Sequence, residues 1–157
     1  MTINGFRLPD SFLQAVVSGS VRREVGSWPL RSDRDAFGQK LETELGQVYD
    51  TLADIKRETT ELTNSFEPNG VYGDSLAEMA GPGAIPDIVD FRAVVCFGMS
   101  GDGAQFCFDF RGNGVEPRVI WWDDVYWRVV APNFASFLCL FDLHNAESDA
   151  AGDGRGT

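Results

Sequence analysis

Phe91-Arg-Ala-Val-Val-Cys-Phe97, Gln105-Phe-Cys-Phe-Asp-Phe-Arg111, Arg118-Val-Ile-Trp-Trp122 and Tyr126-Trp-Arg-Val-Val130 decide the fold of this chain. Each run is short, apolar and rich in β-branched or aromatic residues, with a period near two. In the second run Phe106, Phe108 and Phe110 face one way, and Cys107, Asp109 and Arg111 face the other. Turn chemistry separates the runs. Gly98-Met-Ser-Gly-Asp-Gly103 joins the first two, Gly112 and Asn113-Gly114 precede the third, and Asp123-Asp124 leads into the fourth. Four strands joined by short turns predict an antiparallel meander.

After the meander, Pro132 and Asn133 mark a helix start. Phe134, Phe137, Leu138 and Phe141 then form one apolar face, suited to packing on the sheet. Before the meander the chain reads as helical. Pro9 opens a first helix over residues 9–18, with Phe12, Leu13, Val16 and Val17 on one face and Gly19 as its stop. Ser32 and Asp35 have capping-box spacing, and Phe37, Leu41, Leu45, Val48, Leu52, Ile55 and Leu62 follow as one stripe. That stripe predicts a helix over about 33–64, weakened at Gly38 and Gly46. Residues 64–90 hold Pro68, Pro82 and Pro86 among several glycines and read as a long loop with one helical turn near 75–79. The predicted class is α+β: an antiparallel sheet of four or more strands, N-terminal helices, and a C-terminal helix packed on the sheet. One domain over 1–145 accounts for this, and 146–157 reads as an acidic, glycine-rich tail.

Bulk composition narrows the function. Of 157 residues 43% are hydrophobic, enough for a core without staples. No apolar run is long enough to cross a bilayer, and the N-terminus does not read as a signal peptide, so the expected compartment is the cytoplasm. Cys96, Cys107 and Cys139 are an odd number without a CxxC pattern and sit among apolar residues, which reads as buried free thiols. Cys96 and Cys107 could face each other across a hairpin, but a reducing cytosol opposes a disulfide. The net charge is −11. Residues 1–66 carry ten acids and eight bases, whereas 67–157 carry fourteen acids and five bases. Such a surface repels phosphate backbones and attracts a basic protein. Acidity also serves solubility alone.

Catalytic signals are thin. His144 is the one histidine and lies past the last apolar helix position. No Gly-x-Ser-x-Gly elbow occurs, and the three cysteines read as buried. Gly98, Gly101 and Gly103 lack the spacing and the Lys-Ser/Thr of a phosphate loop. Asp102, Asp109, Asp123 and Asp124 lack calcium-loop spacing, so no metal or other cofactor is expected. A carboxylate-based hydrolase is the competing enzyme reading. The most distinctive feature is aromatic: Trp121, Trp122, Tyr126 and Trp127 are interleaved with Asp123, Asp124 and Arg128. Alternation puts Trp121 and Trp122 on opposite sheet faces, and a two-layer fold covers only one face with helices. With Asp102, these residues are the candidate partner-binding surface, although each aromatic is equally suited to a core.

Leu8-Pro9, Ile88-Val-Asp-Phe91, Phe97-Gly-Met-Ser-Gly-Asp-Gly103, Phe106-Cys-Phe-Asp-Phe110, Pro117-Arg-Val-Ile-Trp-Trp-Asp-Asp124 and Phe134-Ala-Ser-Phe-Leu138, in that order, resemble the SUKH superfamily. That group includes yeast Smi/Knr-type cell-wall synthesis regulators and bacterial immunity proteins. The likeness spans about residues 6–143 and departs from the shortest members between Gly26 and Asn64. It implies an antiparallel sheet with helices against it and a function by binding. One expected partner is a cognate toxin domain, often a nuclease. The alternative is a regulatory or scaffold role. Oligomeric state has no sequence signal.

Overall fold

Asn4 and Gly5 both adopt positive φ, 53° and 85°, as a tight hairpin with a right-handed strand twist requires. They join β1 (Thr2–Ile3) to β2 (Phe6–Arg7), a small antiparallel pair outside the main sheet. The computed structural model describes residues 2–21, 27–65, 83–85, 88, 90–112, 114–123 and 126–141. After β2, Pro9 caps α1 (Asp10–Ser18), and Gly19 closes it in the left-handed conformation at φ 77°. Phe12 and Ala15 form its buried face. Val17, expected on that face, is exposed.

The main sheet has six antiparallel strands in the order β3-β4-β5-β6-β7-β8. These are β3 (Trp28–Pro29), β4 (Glu44–Val48), β5 (Val94–Ser100), β6 (Gln105–Asp109), β7 (Arg118–Asp123) and β8 (Tyr126–Ala131). The α+β class and the meander hold, with two further strands added on the β5 side.

The predicted helix over 33–64 does not exist as one element. Its first part is a loop and then β4, and only α2 (Leu52–Ser65) is helical. The pairing of β4 with β5 shifts register between Leu45 and Gln47. A bulge adds one residue, so buried Leu45 and Val48 stand three apart on one strand and imitate a helical step. Gly46 belongs to that bulge: a Cβ there would lie 2.9 Å from the Ser100 carbonyl oxygen. Asp35 does not cap a helix. Its carboxylate accepts the N–H groups of Phe37 (2.8 Å) and Gln39 (3.0 Å) inside a tight loop.

Helices cover both sheet faces. Phe97, Phe106 and Phe108 rise from one face, where α1 contributes Phe12 and α3 (Phe134–Leu138) contributes Phe134 and Phe137. Asn133 caps α3 by accepting the Ser136 N–H at 2.8 Å. The other face carries Cys96 and Cys107, and α2 packs there on β5. Thr59 of α2 accepts the buried Cys96 N–H at 3.0 Å, next to the β5–β6 register shift. The two-layer expectation is therefore replaced by three layers.

The chain also ties the two edges of the sheet together. Leu30, just past β3, bridges to Phe141, and the loop onward reaches β8 through the Ala36 N–H donated to the Val130 carbonyl at 3.0 Å. Gly83 and Ile85 run along β8, hydrogen-bonded to Val129 and Trp127, and shield that edge. Asn64 and Ser65, expected to open the long loop, end α2 instead, and the rest of the expected 64–90 loop, including the turn near 75–79, lies outside the described residues apart from 83–85, Ile88 and Asp90, as do the tail and His144.

Asp109 locks the start of β7 to the end of β6. It is buried, its Oδ1 accepts from Arg111 Nε at 2.8 Å, and its Oδ2 accepts from Arg118 Nε at 2.9 Å. Burial alone would raise its pKa, but the hydrogen bonds and charge of Arg111, aided by Arg118, outweigh that and lower it. A carboxyl with a folded pKa below its unfolded one stabilises fully above the unfolded value, about 3.9, and loses this as pH falls through the folded value. Asp109→Asn should thus lower unfolding free energy by about 2 kcal/mol at neutral pH and by much less near pH ~3. Urea unfolding at the two pH values checks this. An equal loss at both would mean that the charge is not what holds the strands.

Candidate functional site

The turn from Gly101 to Gly103 joins β5 to β6 at one end of the sheet. Ser100 donates its hydroxyl to the Asp102 carboxylate and accepts the Ala104 N–H at 3.1 Å. Gly103 sits at φ 93°, a backbone state that side chains resist. At Gly101 the Glu44 carboxylate lies close over the backbone, where a Cβ would push that flexible side chain aside. Glu44, from β4, is held against the turn by the Ser27 hydroxyl at 2.6 Å.

Two clefts flank this turn, with Asp102 and Gly103 lining both. One, of about 510 Å³, also contains Glu44 and Ser27. The other, of about 580 Å³, contains Glu42, Trp121, Trp122 and Asp123. Its carboxylates differ in their company. Glu42 reaches Lys40 at 3.4 Å, and Asp123 reaches Arg128 Nη1 at 3.5 Å. Asp102 has only the neutral Ser100 and Ala104 contacts, and among the described residues no cation pairs with it. Burial raises the Tyr126 phenol pKa, and neighbouring Asp123 raises it further. The cleft presents negative charge beside tryptophan.

The structure brings together Asp102, Trp121, Trp122 and Asp123 from the expected set and adds Glu42. Trp121 and Trp122 do take opposite faces. Trp121 stacks on Phe106 at 5.9 Å in the α1/α3 layer, and Trp122 meets Trp127 edge-on at 5.3 Å. Trp122 is half-buried, whereas Tyr126 and Trp127 are buried in the fold and line neither cleft. Asp124 lies outside the described residues. Sequence spacing could not find Glu42, because it arrives from a loop far from the aromatic run.

The thiols divide differently from expectation. Cys96 and Cys107 are buried and paired across β5–β6, with sulfurs 3.4 Å apart. Burial, then the neighbouring Cys96 thiol, pushes the Cys107 pKa well up, which keeps it protonated and inert. Cys139, expected inside, is exposed at the end of α3. It falls off the helix face that carries Phe134 and Phe137. Among the described residues, His, Cys, Asp and Glu form no cluster able to hold a metal, and no helix is long and apolar enough to cross a membrane.

No curated protein and no solved structure matches this chain. A family model does, over residues 4–139, so that β2, the main sheet and the three helices among the described residues lie within the match. The chain belongs to the SMI1 / KNR4 family (SUKH-1).

Proposed function

We propose that this protein is an immunity protein: it binds a cognate toxin domain with a basic surface and covers that surface in the cytoplasm. Family membership supports a non-enzymatic immunity or regulatory domain that works through protein contact. The observation that carries the more specific reading is the cleft at the end of β7. Its uncompensated Asp102, with Glu42, Asp123 and half-buried Trp122, offers long-range attraction for a basic partner and an aromatic wall for the contact itself. The net charge of −11 acts in the same direction.

Co-expression with the product of the neighbouring gene, followed by capture at low and high salt, tests the reading. Asp102→Lys combined with Glu42→Lys should slow association by about tenfold at low ionic strength, and the gap should narrow as salt rises. These positions are exposed, so the fold should tolerate the change; Asp123 is a poorer choice because it contacts Arg128. An unchanged association rate, or a partner whose contact surface is acidic, would sink the proposal.

A further inference from the structure

We infer that Cys96 and Cys107 form a redox-sensitive lock: a peroxide converts the two thiols into a disulfide that pins β5 to β6, and α2 is the cover that controls access to them. This goes beyond the binding reading and does not depend on it. The two residues stand directly opposite each other in the β5–β6 register, both are fully buried, and their sulfurs lie 3.4 Å apart. The backbone favours the link as well. In a hydrogen-bonded antiparallel pair each residue gives its N–H to the other, but the Cys96 N–H goes to the Thr59 hydroxyl of α2. Cys96 and Cys107 are therefore a non-hydrogen-bonded pair, the kind in which Cα atoms approach to about 4.5 Å and side chains stand closest. That separation lies within the range that disulfides span. Cys139, exposed at the end of α3, has no such placement.

The chemistry needs one co-reactant, a peroxide. One thiol gives up its proton and its sulfur attacks a peroxide oxygen. An S–O bond forms, the O–O bond breaks, and the departing hydroxide takes the proton and leaves as water. The second sulfur, deprotonated in turn, attacks the sulfenic sulfur. The S–S bond forms, the S–O bond breaks, and a second water leaves. The thiols have then lost two electrons and two protons, and the peroxide has been reduced to two waters. While α2 is docked, burial holds the Cys107 thiol protonated and out of reach. Reaction waits for the helix to lift, and the Thr59–Cys96 hydrogen bond is one of its ties to the sheet. In reducing surroundings the pair rests as thiols, and exchange with a small thiol returns it to that state.

Hydrogen peroxide added to the Cys139→Ser protein, which lacks the exposed thiol, tests this. The intact mass should fall by two hydrogens, peptide mapping without reductant should join Cys96 to Cys107, and dithiothreitol should restore both thiols. The oxidised form should resist urea better than the reduced form. Thr59→Val keeps the shape of the side chain but removes the acceptor, leaving a buried N–H unpaired, so the crosslink should form about tenfold faster. Two thiols that stay free at peroxide levels that oxidise Cys139 in the parent protein overturn the inference, as does oxygen added to either sulfur without a link. An oxidised form no more resistant to urea than the reduced one is not a lock. A crosslinking rate that ignores Thr59→Val overturns the role of α2 as the cover. None of these results bears on capture of a toxin, so this inference and the immunity reading fail separately.

Discussion

Arg128→Ala should destabilise the protein by about 3–5 kcal/mol, a large part of the whole stability of a domain this size. Arg128 is a charged side chain inside the fold, 4% exposed. Its Nη2 donates to the Asp35 carboxylate at 2.9 Å and to the Lys40 carbonyl at 2.5 Å, and its Nη1 reaches Asp123. Removing it strands the Asp35 carboxylate, whose side chain is 1% exposed, without a counter-charge. The loop from Leu30 to Thr43 would then keep only the Ala36–Val130 backbone bond as its hydrogen-bonded tie to β8 among the described residues. Lysine should not rescue, because one ammonium cannot serve three acceptors arranged for a fork. The double variant Arg128→Ala with Asp35→Asn should lose less than the sum of the two single changes, since no unpaired charge remains. Urea unfolding of all four proteins measures this. A loss below about 1 kcal/mol for Arg128→Ala would mean that water already reaches Asp35.

The same pair has no local signature in the sequence. Strand alternation at Phe106, Phe108 and Phe110 and the helical face of Phe134 and Phe137 survive intact, because each depends on neighbours a few residues away. Asp35 and Arg128 are 93 positions apart, and nothing local marks either as the other's partner. Locally, Asp35 has capping-box spacing to Ser32, and a capping Asp and a loop-closing Asp use the same chemistry of accepting nearby N–H groups. The β4 error has a different cause. A bulge inserts one residue into a period of two, and the resulting step of three is indistinguishable from a helical step until the partner strand is known. Gly46 was the available clue, since a glycine inside a strand pattern signals a bulge or close backbone approach. Asn4-Gly5 is a hairpin signal of the strongest kind, and it turns the chain between β1 and β2.

The candidate site was half legible for a related reason. Asp102, Trp121, Trp122 and Asp123 come from one meander, so turn positions and alternation place them at the same end of the sheet. Glu42 and Glu44 arrive on a segment misread as helix. Burial of Trp127 depends on Phe91, which arrives from the segment before β5 and packs against it at 6.2 Å. The uncompensated state of Asp102 is equally nonlocal: it depends on Lys40 being held beside Glu42 and Arg128 being drawn toward Asp35.

Phe97→Ala should cost about 3–5 kcal/mol, comparable to losing Arg128, but without any dependence on charge. Phe97 has no exposure and sits where three elements meet. It stacks on Phe108 at 4.3 Å, and it meets Phe134 edge-on at 5.4 Å, Phe137 at 5.3 Å and Phe12 at 6.0 Å. Truncation therefore removes one ring and leaves four others facing a void. Helices α1 and α3 and the β6 strand cannot all close on it, since each is already held to the sheet by other rings. Leucine should recover a substantial part of the loss by filling most of the space, although it cannot restore the ring contacts. Phe37→Ala is the matched comparison: that ring is 51% exposed, so the change should stay within about 0.5 kcal/mol. The Phe97→Ala loss should be nearly the same at low and high salt, whereas a deficit arising from charged contacts would vary with salt. Urea unfolding of the two alanine variants side by side provides the test. Equal, small losses would show that the aromatic layer is not the core of the sheet face covered by α1 and α3.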